Sequence, residues 1–253
     1  MSAALAGQAA LVTGGSRGIG RAVALAFARA GARVAICHNG DDRTAATLAE
    51  IQALNPDSFA IEADVSREDD VVAMFAEIAD RFRTLDIAVN NAGILVEAPT
   101  VETSAAAFDR VVAVNLRGTF LVSREAARLM LARPAGTTPA RIVNLASDLA
   151  SLGRERMAAY SASKGGIISL TRSLAREFAP SILVNAIAPG PVATDMTSPE
   201  TMSPEALAKD LDIPLARFAE PDEIAALALY LAGDGARFVT GQCYGINGGS
   251  VMP

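Results

Sequence analysis

Short runs rich in β-branched and apolar residues alternate along this chain with longer segments of helical period, and that alternation leaves little choice of architecture. Successive βα units of this kind form a parallel sheet with helices packed on it. The first run, Ala9-Ala10-Leu11-Val12-Thr13, ends in glycines. The segment 21–30 follows with Val23, Phe27 and Ala30 on one face, and Gly31 stops it. Further strands are predicted at 33–37, 59–62, 85–89, 141–145, 182–187 and 242–246. Further helices are predicted at 44–54, 68–82, 104–132, 158–178 and 221–232, the last with Pro221 in its first turn. No linker, repeat or low-complexity tract interrupts the pattern. The reading is a single doubly wound α/β domain over 1–253, with about seven parallel strands and helices on both faces. With 253 residues, 51% of them hydrophobic, the chain can fill such a core.

Charge and cysteine usage narrow the function. A net charge of −6, with acidic and basic residues interspersed, argues against nucleic acid or an acidic protein as the principal partner. Cys37 and Cys243 have neither metal-site nor disulfide spacing and read as small hydrophobes in a reducing compartment; no metal is expected. Met1 to Gln8 lacks the positive region and apolar core of a signal peptide. No uncharged apolar run reaches about 18 residues. A soluble cytoplasmic protein without a membrane partner is expected.

In doubly wound sheets ligands bind beyond the carboxyl ends of the strands, so chemistry is sought just after each strand. Thr13-Gly14-Gly15-Ser16-Arg17-Gly18-Ile19-Gly20 stands between a strand and a helix. There glycines let the backbone approach a pyrophosphate and the helix N-terminus offers N–H groups, the Rossmann mode of dinucleotide binding. Tyr160 and Lys164, four apart on a predicted helix, project from one face. An ammonium beside a phenol favours phenolate and brings its pKa toward the working range. At the end of the second strand stands His38 rather than the carboxylate that binds a ribose 2′-hydroxyl. Arg17, with Asn39 and Arg43 in support, can grip a 2′-phosphate. NADPH is therefore expected in preference to NADH, although Asp41 and Asp42, later in the same turn, also offer carboxylates to a ribose hydroxyl.

Together these motifs resemble the short-chain dehydrogenase/reductase family. The likeness runs through Thr13 to Gly20, Asp64-Val65, Asn90-Asn91-Ala92-Gly93, Asn115, Ser147, Tyr160-x-x-x-Lys164, Pro189-Gly190 and Asn247-Gly248-Gly249. The resemblance implies a catalytic set of Asn115, Ser147, Tyr160 and Lys164. Tyr160 would exchange a proton with the substrate, Ser147 would hold the substrate oxygen, and Asn115 would support a water relay to Lys164. It implies a cofactor site formed by Gly14, Ser16, Arg17, Gly18, Ile19 and Gly20, with His38 and Asn39. Asp64 and Val65 would meet the adenine; Asn91, Ala92 and Gly93 would border the adenosine ribose. Lys164 would contact the nicotinamide ribose beside Tyr160, and Pro189, Gly190, Val192 and Thr194 would hold the carboxamide and nearby phosphate. It further implies a homotetramer pairing segments 104–132, 158–178 and 221–246, and a substrate lid around 193–212.

Within the family the chain most resembles 3-oxoacyl-carrier-protein reductases and related carbonyl reductases, through Thr13 to Gly20 and Ile213 to Phe218. The loop Ala179-Pro180-Ser181 lacks the basic residue that helps to dock an acidic carrier protein. The expected activity is NADPH-dependent reduction of a ketone, a β-ketoacyl or other carbonyl substrate, to a secondary alcohol. An NAD-dependent alcohol, sugar or polyol dehydrogenase is the alternative, and a non-catalytic dinucleotide-sensing regulator a further one.

Overall fold

The computed structural model describes residues 4–134 and 136–252. Its strands are β1 (Ala9–Thr13), β2 (Arg33–His38), β3 (Phe59–Glu62), β4 (Ile87–Asn90), β5 (Ala140–Leu145), β6 (Ile182–Pro189) and β7 (Cys243–Ile246). The helices are α1 (Gly18–Arg29), α2 (Thr44–Leu54), α3 (Glu68–Phe82), α4 (Ala105–Val112), α5 (Gly118–Leu131), α6 (Leu149–Leu152), α7 (Ala158–Phe178), α8 (Pro204–Leu211) and α9 (Pro221–Ala232). The strands form one sheet in the order β3-β2-β1-β4-β5-β6-β7, every pair parallel. Strand order reverses between β1 and β4, so the crevice available to a ligand opens beyond Thr13 and Asn90.

Period-two alternation explains the two layers. Ala9, Leu11, Ala35 and Cys37 face one side and pack against Val71, Met74 and Ile78 of α3, Leu121 and Val122 of α5, and Leu174 of α7. Ala10, Val12, Val34 and Ile36 face the other, against Val23 and Phe27 of α1, Ile51 of α2 and Ile224, Ala228 and Leu231 of α9. Strands apolar on both faces are what a sheet covered by helices on both sides requires. Each fully buried Val, Leu, Ile or Phe contributes about 1.5–3 kcal/mol.

Two departures from the expected elements matter for function. The long helix expected over 104–132 is interrupted by a π turn at Ala113–Arg117, which joins α4 to α5 and carries Asn115. Ser104 stays outside it as the N-cap, accepting from the Ala107 N–H at 3.1 Å. The stretch after β6 holds α8, which the sequence reading passes over as part of the lid segment. Ser203 caps it, Pro204 occupies its first turn and Glu205 follows, a start signal visible in the sequence. Among the described residues no helix is long and apolar enough to cross a membrane.

Candidate active site

The catalytic candidates converge beyond the carboxyl end of β5. Ser147 stands two residues past the strand, buried, and lies beside the phenol of Tyr160 from the first turn of α7. Lys164, one turn further along α7 and 5% exposed, donates from Nζ to the Leu145 carbonyl oxygen at 2.7 Å. Its Nζ lies 5.6 Å from the Tyr160 ring centre. Asn115 faces them from the π turn. Its Oδ1 accepts from the Ile94 N–H at 2.8 Å, and its Nδ2 donates to the Ile94 carbonyl at 3.0 Å and to Ser163 Oγ at 3.1 Å. Gly93 leaves room between them: a Cβ there would lie 3.3 Å from Asn115 Oδ1 and 3.7 Å from Lys164 Nζ.

The electrostatics differ from the sequence expectation. Burial pushes the Tyr160 phenol up to about 12, against the hydrogen bond to Ser147, and the charge of Asp148 adds to the rise. Burial draws the Lys164 ammonium down to about 8. The expected lowering of the phenol by the ammonium is not what this arrangement gives, because Nζ is aimed at the Leu145 carbonyl and desolvation dominates both groups. A phenol so placed remains protonated at neutral pH.

The cofactor candidates line the crevice between β1 and β4. Gly14 and Gly18 have φ of +62° and +51°, backbone that favours glycine, and a Cβ on Gly20 would lie 2.1 Å from the Gly14 carbonyl oxygen. No acidic residue enters the first turn of α1 and its N-cap Arg17 makes no side-chain cap, so its N–H groups and positive end are unneutralised and fit an anionic phosphate. Asn91 donates from Nδ2 to the Thr13 and Gly14 carbonyls at 3.0 and 3.1 Å, and the Ala92 N–H bonds Thr13 Oγ1 at 3.0 Å, clamping the turn to β4. Ile19 packs on the α1 side of the core. Thr194 lies over Gly18, its methyl 3.3 Å from where a Cβ would be. Gly190 passes so close to Asn247 that a Cβ would lie 2.8 Å from its Cα, and Val192 bridges to Ala219. Pro189, at the end of β6, accepts from the Asp148 N–H at 3.0 Å.

At the far end of the crevice, Asn39 and Asp64 line a cavity of about 430 Å³ with Ile61 and Met74. The Asp64 carboxylate already caps locally, accepting from Ser66 Oγ at 2.7 Å and pairing with Arg110 at 3.2 Å. Val65 is buried against Gly118. The His38 ring nitrogen Nδ1 is buried without a partner among the described residues. One carboxylate does approach the expected 2′-phosphate corner: Asp41 accepts from Ser16 Oγ at 2.8 Å and lies 3.4 Å from Nε of both Arg17 and Arg43. Burial works to raise its pKa, but the Arg43 N–H, the Ser16 hydroxyl and the Arg43 side chain hold it at about 2. Arg43 also reaches Asp195, at 2.5 Å, tying the β2–α2 loop to the segment after β6.

A family model described as enoyl-(acyl carrier protein) reductase matches residues 14–250. The 3-oxoacyl-[acyl-carrier-protein] reductase FabG of Staphylococcus aureus (strain N315) is 42% identical over 248 residues, 97% of this chain and 98% of that protein. The chain belongs to the short-chain dehydrogenase/reductase family. As a member of that family it is an oxidoreductase. Among solved short-chain dehydrogenase/reductase folds, a protein of Agrobacterium tumefaciens described as a candidate gluconate dehydrogenase superposes with a TM-score of 0.92 at 38% identity, covering 100% of both chains. A Burkholderia cenocepacia short-chain dehydrogenase in complex with NADP gives 0.90 at 34% identity, covering 97% of this chain and 98% of that one.

Sequence reasoning missed some of what surrounds this short-chain dehydrogenase/reductase site. Asp148, directly after Ser147, accepts from it at 3.2 Å and from Ser250 Oγ at 2.6 Å. A charged residue immediately beyond an apolar strand was a signal for it. Beneath the site, Asn90 Nδ2 donates to Ser123 Oγ at 2.9 Å and to Asn144 Oδ1 at 2.8 Å, and Asn144 Nδ2 donates to Thr171 Oγ1 at 2.9 Å. This buried chain locks β4, β5, α5 and α7 together. Only strand register brings its members into line.

Proposed function

We propose that the protein reduces a ketone, a β-ketoacyl or other carbonyl compound, to a secondary alcohol, with NADPH as cofactor. One observation carries the reading: the Tyr160 phenol stands beside the buried Ser147 and one helical turn before the buried Lys164, beyond the carboxyl end of β5 and beside the dinucleotide crevice. When bound, reduced nicotinamide supplies a hydride to the carbonyl carbon and is itself oxidised. Ser147 and Tyr160 hold the carbonyl oxygen; as the C=O electron pair moves onto that oxygen, Tyr160 Oη releases its proton to it. Lys164, once turned from the Leu145 carbonyl that holds it here, would stabilise the phenolate left behind and, through water supported by Asn115, return a proton. The reverse sequence oxidises the alcohol. Relatives named 3-oxoacyl-[acyl-carrier-protein] reductase and the NADP complex of a relative support the substrate class and cofactor.

A second cofactor reading is favoured by one feature. Asp41, ionised at the edge of the glycine-rich turn, can accept from a ribose hydroxyl and repel a 2′-phosphate, which would favour NADH. The two guanidiniums beside it argue for NADPH. A homotetramer through 104–132, 158–178 and 221–246 is proposed on the same family likeness. Phe120, Tyr230 and Phe238, on those segments, are exposed in the single chain. Oxidation of NADPH and NADH with a panel of ketones and β-ketoacyl thioesters tests the reading, and light scattering tests the assembly; no turnover by the cofactor-bound protein, or a monomeric mass, sinks the corresponding proposal.

A further inference from the structure

Asp148 is the carboxylate nearest in sequence to the proposed reacting atoms, and only 8% of the residue is exposed. Its Oδ1 accepts from Ser147 Oγ and its Oδ2 from Ser250 Oγ, in the turn after β7. Among the described residues no arginine or lysine pairs with it, and Arg154 in the same corner is committed to Asp210 of α8. A buried carboxylate without a counter-ion is tolerable only while donors fill its lone pairs. Here two of the donors are hydroxyls, with the Leu149 N–H beside them, and one of the hydroxyls is needed elsewhere. A serine has a single proton to give. Once Ser147 turns that proton to a substrate carbonyl oxygen, Asp148 Oδ1 loses a donor in the Michaelis complex. The carbonyl oxygen would then sit about 2.7 Å from Ser147 Oγ, leaving Asp148 one further hydrogen-bond length away. That is the reach of a donor on the adjoining carbon.

We propose that Asp148 determines specificity by accepting a hydrogen bond from a hydroxyl on the carbon next to the reacting carbonyl, so that hydroxyketones and their diol products are the preferred substrates. The proposal rests on the reductase reading above. It explains why a charge is placed where it is costly: the substrate replaces the donor that catalysis removes. Burial and the charge of Asp210 both raise the Asp148 pKa, while Ser250, Ser147 and the Leu149 N–H oppose them, so the carboxylate is one that gains from every added donor. A β-ketoacyl thioester has no donor on the carbon between its two carbonyls and would not replace the one that Ser147 withdraws from Oδ1.

The test compares kcat/KM for 3-hydroxybutan-2-one and butan-2-one in the wild type, Asp148→Val and Asp148→Asn, the last keeping the shape if the apolar variant does not fold. The ratio is read, whatever happens to absolute rates. The wild type is expected to prefer the hydroxyketone by about tenfold or more, the worth of a hydrogen bond to a charged group, and both variants to lose most of that preference. Equal use of the two ketones by the wild type, an unchanged ratio in the variants, or a stronger preference for 1-(dimethylamino)propan-2-one would overturn the proposal. A binding arm is independent of turnover: butane-2,3-diol should raise the melting temperature of the cofactor-bound wild type more than butan-2-ol does, and Asp148→Asn should abolish the difference. Loss of all ketone turnover with the diol effect intact would strike the reductase reading and leave the Asp148 assignment supported; no diol effect strikes the assignment itself.

Discussion

Lys164 Nζ donates to the carbonyl oxygen of Leu145 at 2.7 Å, so α7 is tied through its buried ammonium to the last residue of β5. That bond holds the two elements carrying Ser147 and Tyr160 in fixed relation. It also has a pH signature. The folded pKa of Lys164 is depressed to about 8 against 10.5 for the free side chain. Between those values the unfolded chain binds more protons than the folded one, so stability rises with pH across the window. Below about 8 the cost of charging the buried amine is borne in full. The stability of the wild type relative to Lys164→Met should therefore increase from neutral pH to about pH 10, by on the order of 3 kcal/mol. Urea midpoints of both proteins at the two pH values give this double difference, in which the orphaned Leu145 carbonyl largely cancels. A flat or falling difference would show that the ammonium is better solvated than its burial implies.

Tyr160→Phe removes one oxygen from a half-buried ring and leaves the packing of α7 intact. It should retain the melting temperature and cofactor affinity of the wild type while kcat falls by about 10²–10⁴, the usual worth of a positioned general acid. Stopped-flow assay on the best ketone decides it, and near-normal kcat would remove Tyr160 from the proposed role.

The Asn90–Asn144 contact predicts a stability effect without a catalytic one at its origin. Asn90→Leu would leave Asn144 Oδ1 and Ser123 Oγ buried without their donor, at a cost of about 1–3 kcal/mol for each unsatisfied group. Asn144→Leu takes the donor from Thr171 Oγ1 and one of the two acceptors from Asn90 Nδ2. Because both residues belong to one chain, the double variant should be much less destabilised than the sum of the two. Strict additivity in denaturant melts would show that the two amides act separately.

What the sequence discloses follows from range. The βα alternation, the glycine turn and the Tyr160–Lys164 spacing are written in neighbouring residues, and helices at 44–54, 68–82, 158–178 and 221–232 coincide with the structure. The break at Ala113–Arg117 was not legible in the periodicity, and the contacts that Asn115 makes there, with Ile94 and Ser163, are tertiary. The pairing of Arg43 with Asp195 joins residues 152 apart, and Asn90 meets Asn144 through parallel register. Side-chain direction likewise decides the pKa of Tyr160, and no spacing rule says that Lys164 aims past the phenol at a backbone carbonyl.

Cofactor choice turns on four charges. Arg17 and Arg43 meet Asp41 and Asp195 at the edge of the glycine-rich turn, and the cluster is neutral as it stands. Asp195 has a side chain 58% exposed and can swing into solvent; Asp41, at 11%, is held by Ser16 and cannot leave without breaking that bond. A 2′-phosphate that displaces Asp195 would then face two guanidiniums and one carboxylate, a net attraction strengthened by paired hydrogen bonds from arginine. Arg17→Ala should weaken NADPH about tenfold or more and change NADH little, since a hydrogen bond to a charged group is worth about 1.5–3 kcal/mol. Asp41→Ser keeps a partner for Ser16 and removes the opposing charge, so it should shift the kcat/KM ratio further toward NADPH. If the wild type prefers NADH and Asp41→Ser reverses that preference, Asp41 acts as the ribose-binding carboxylate and the guanidiniums serve only to fix it in place.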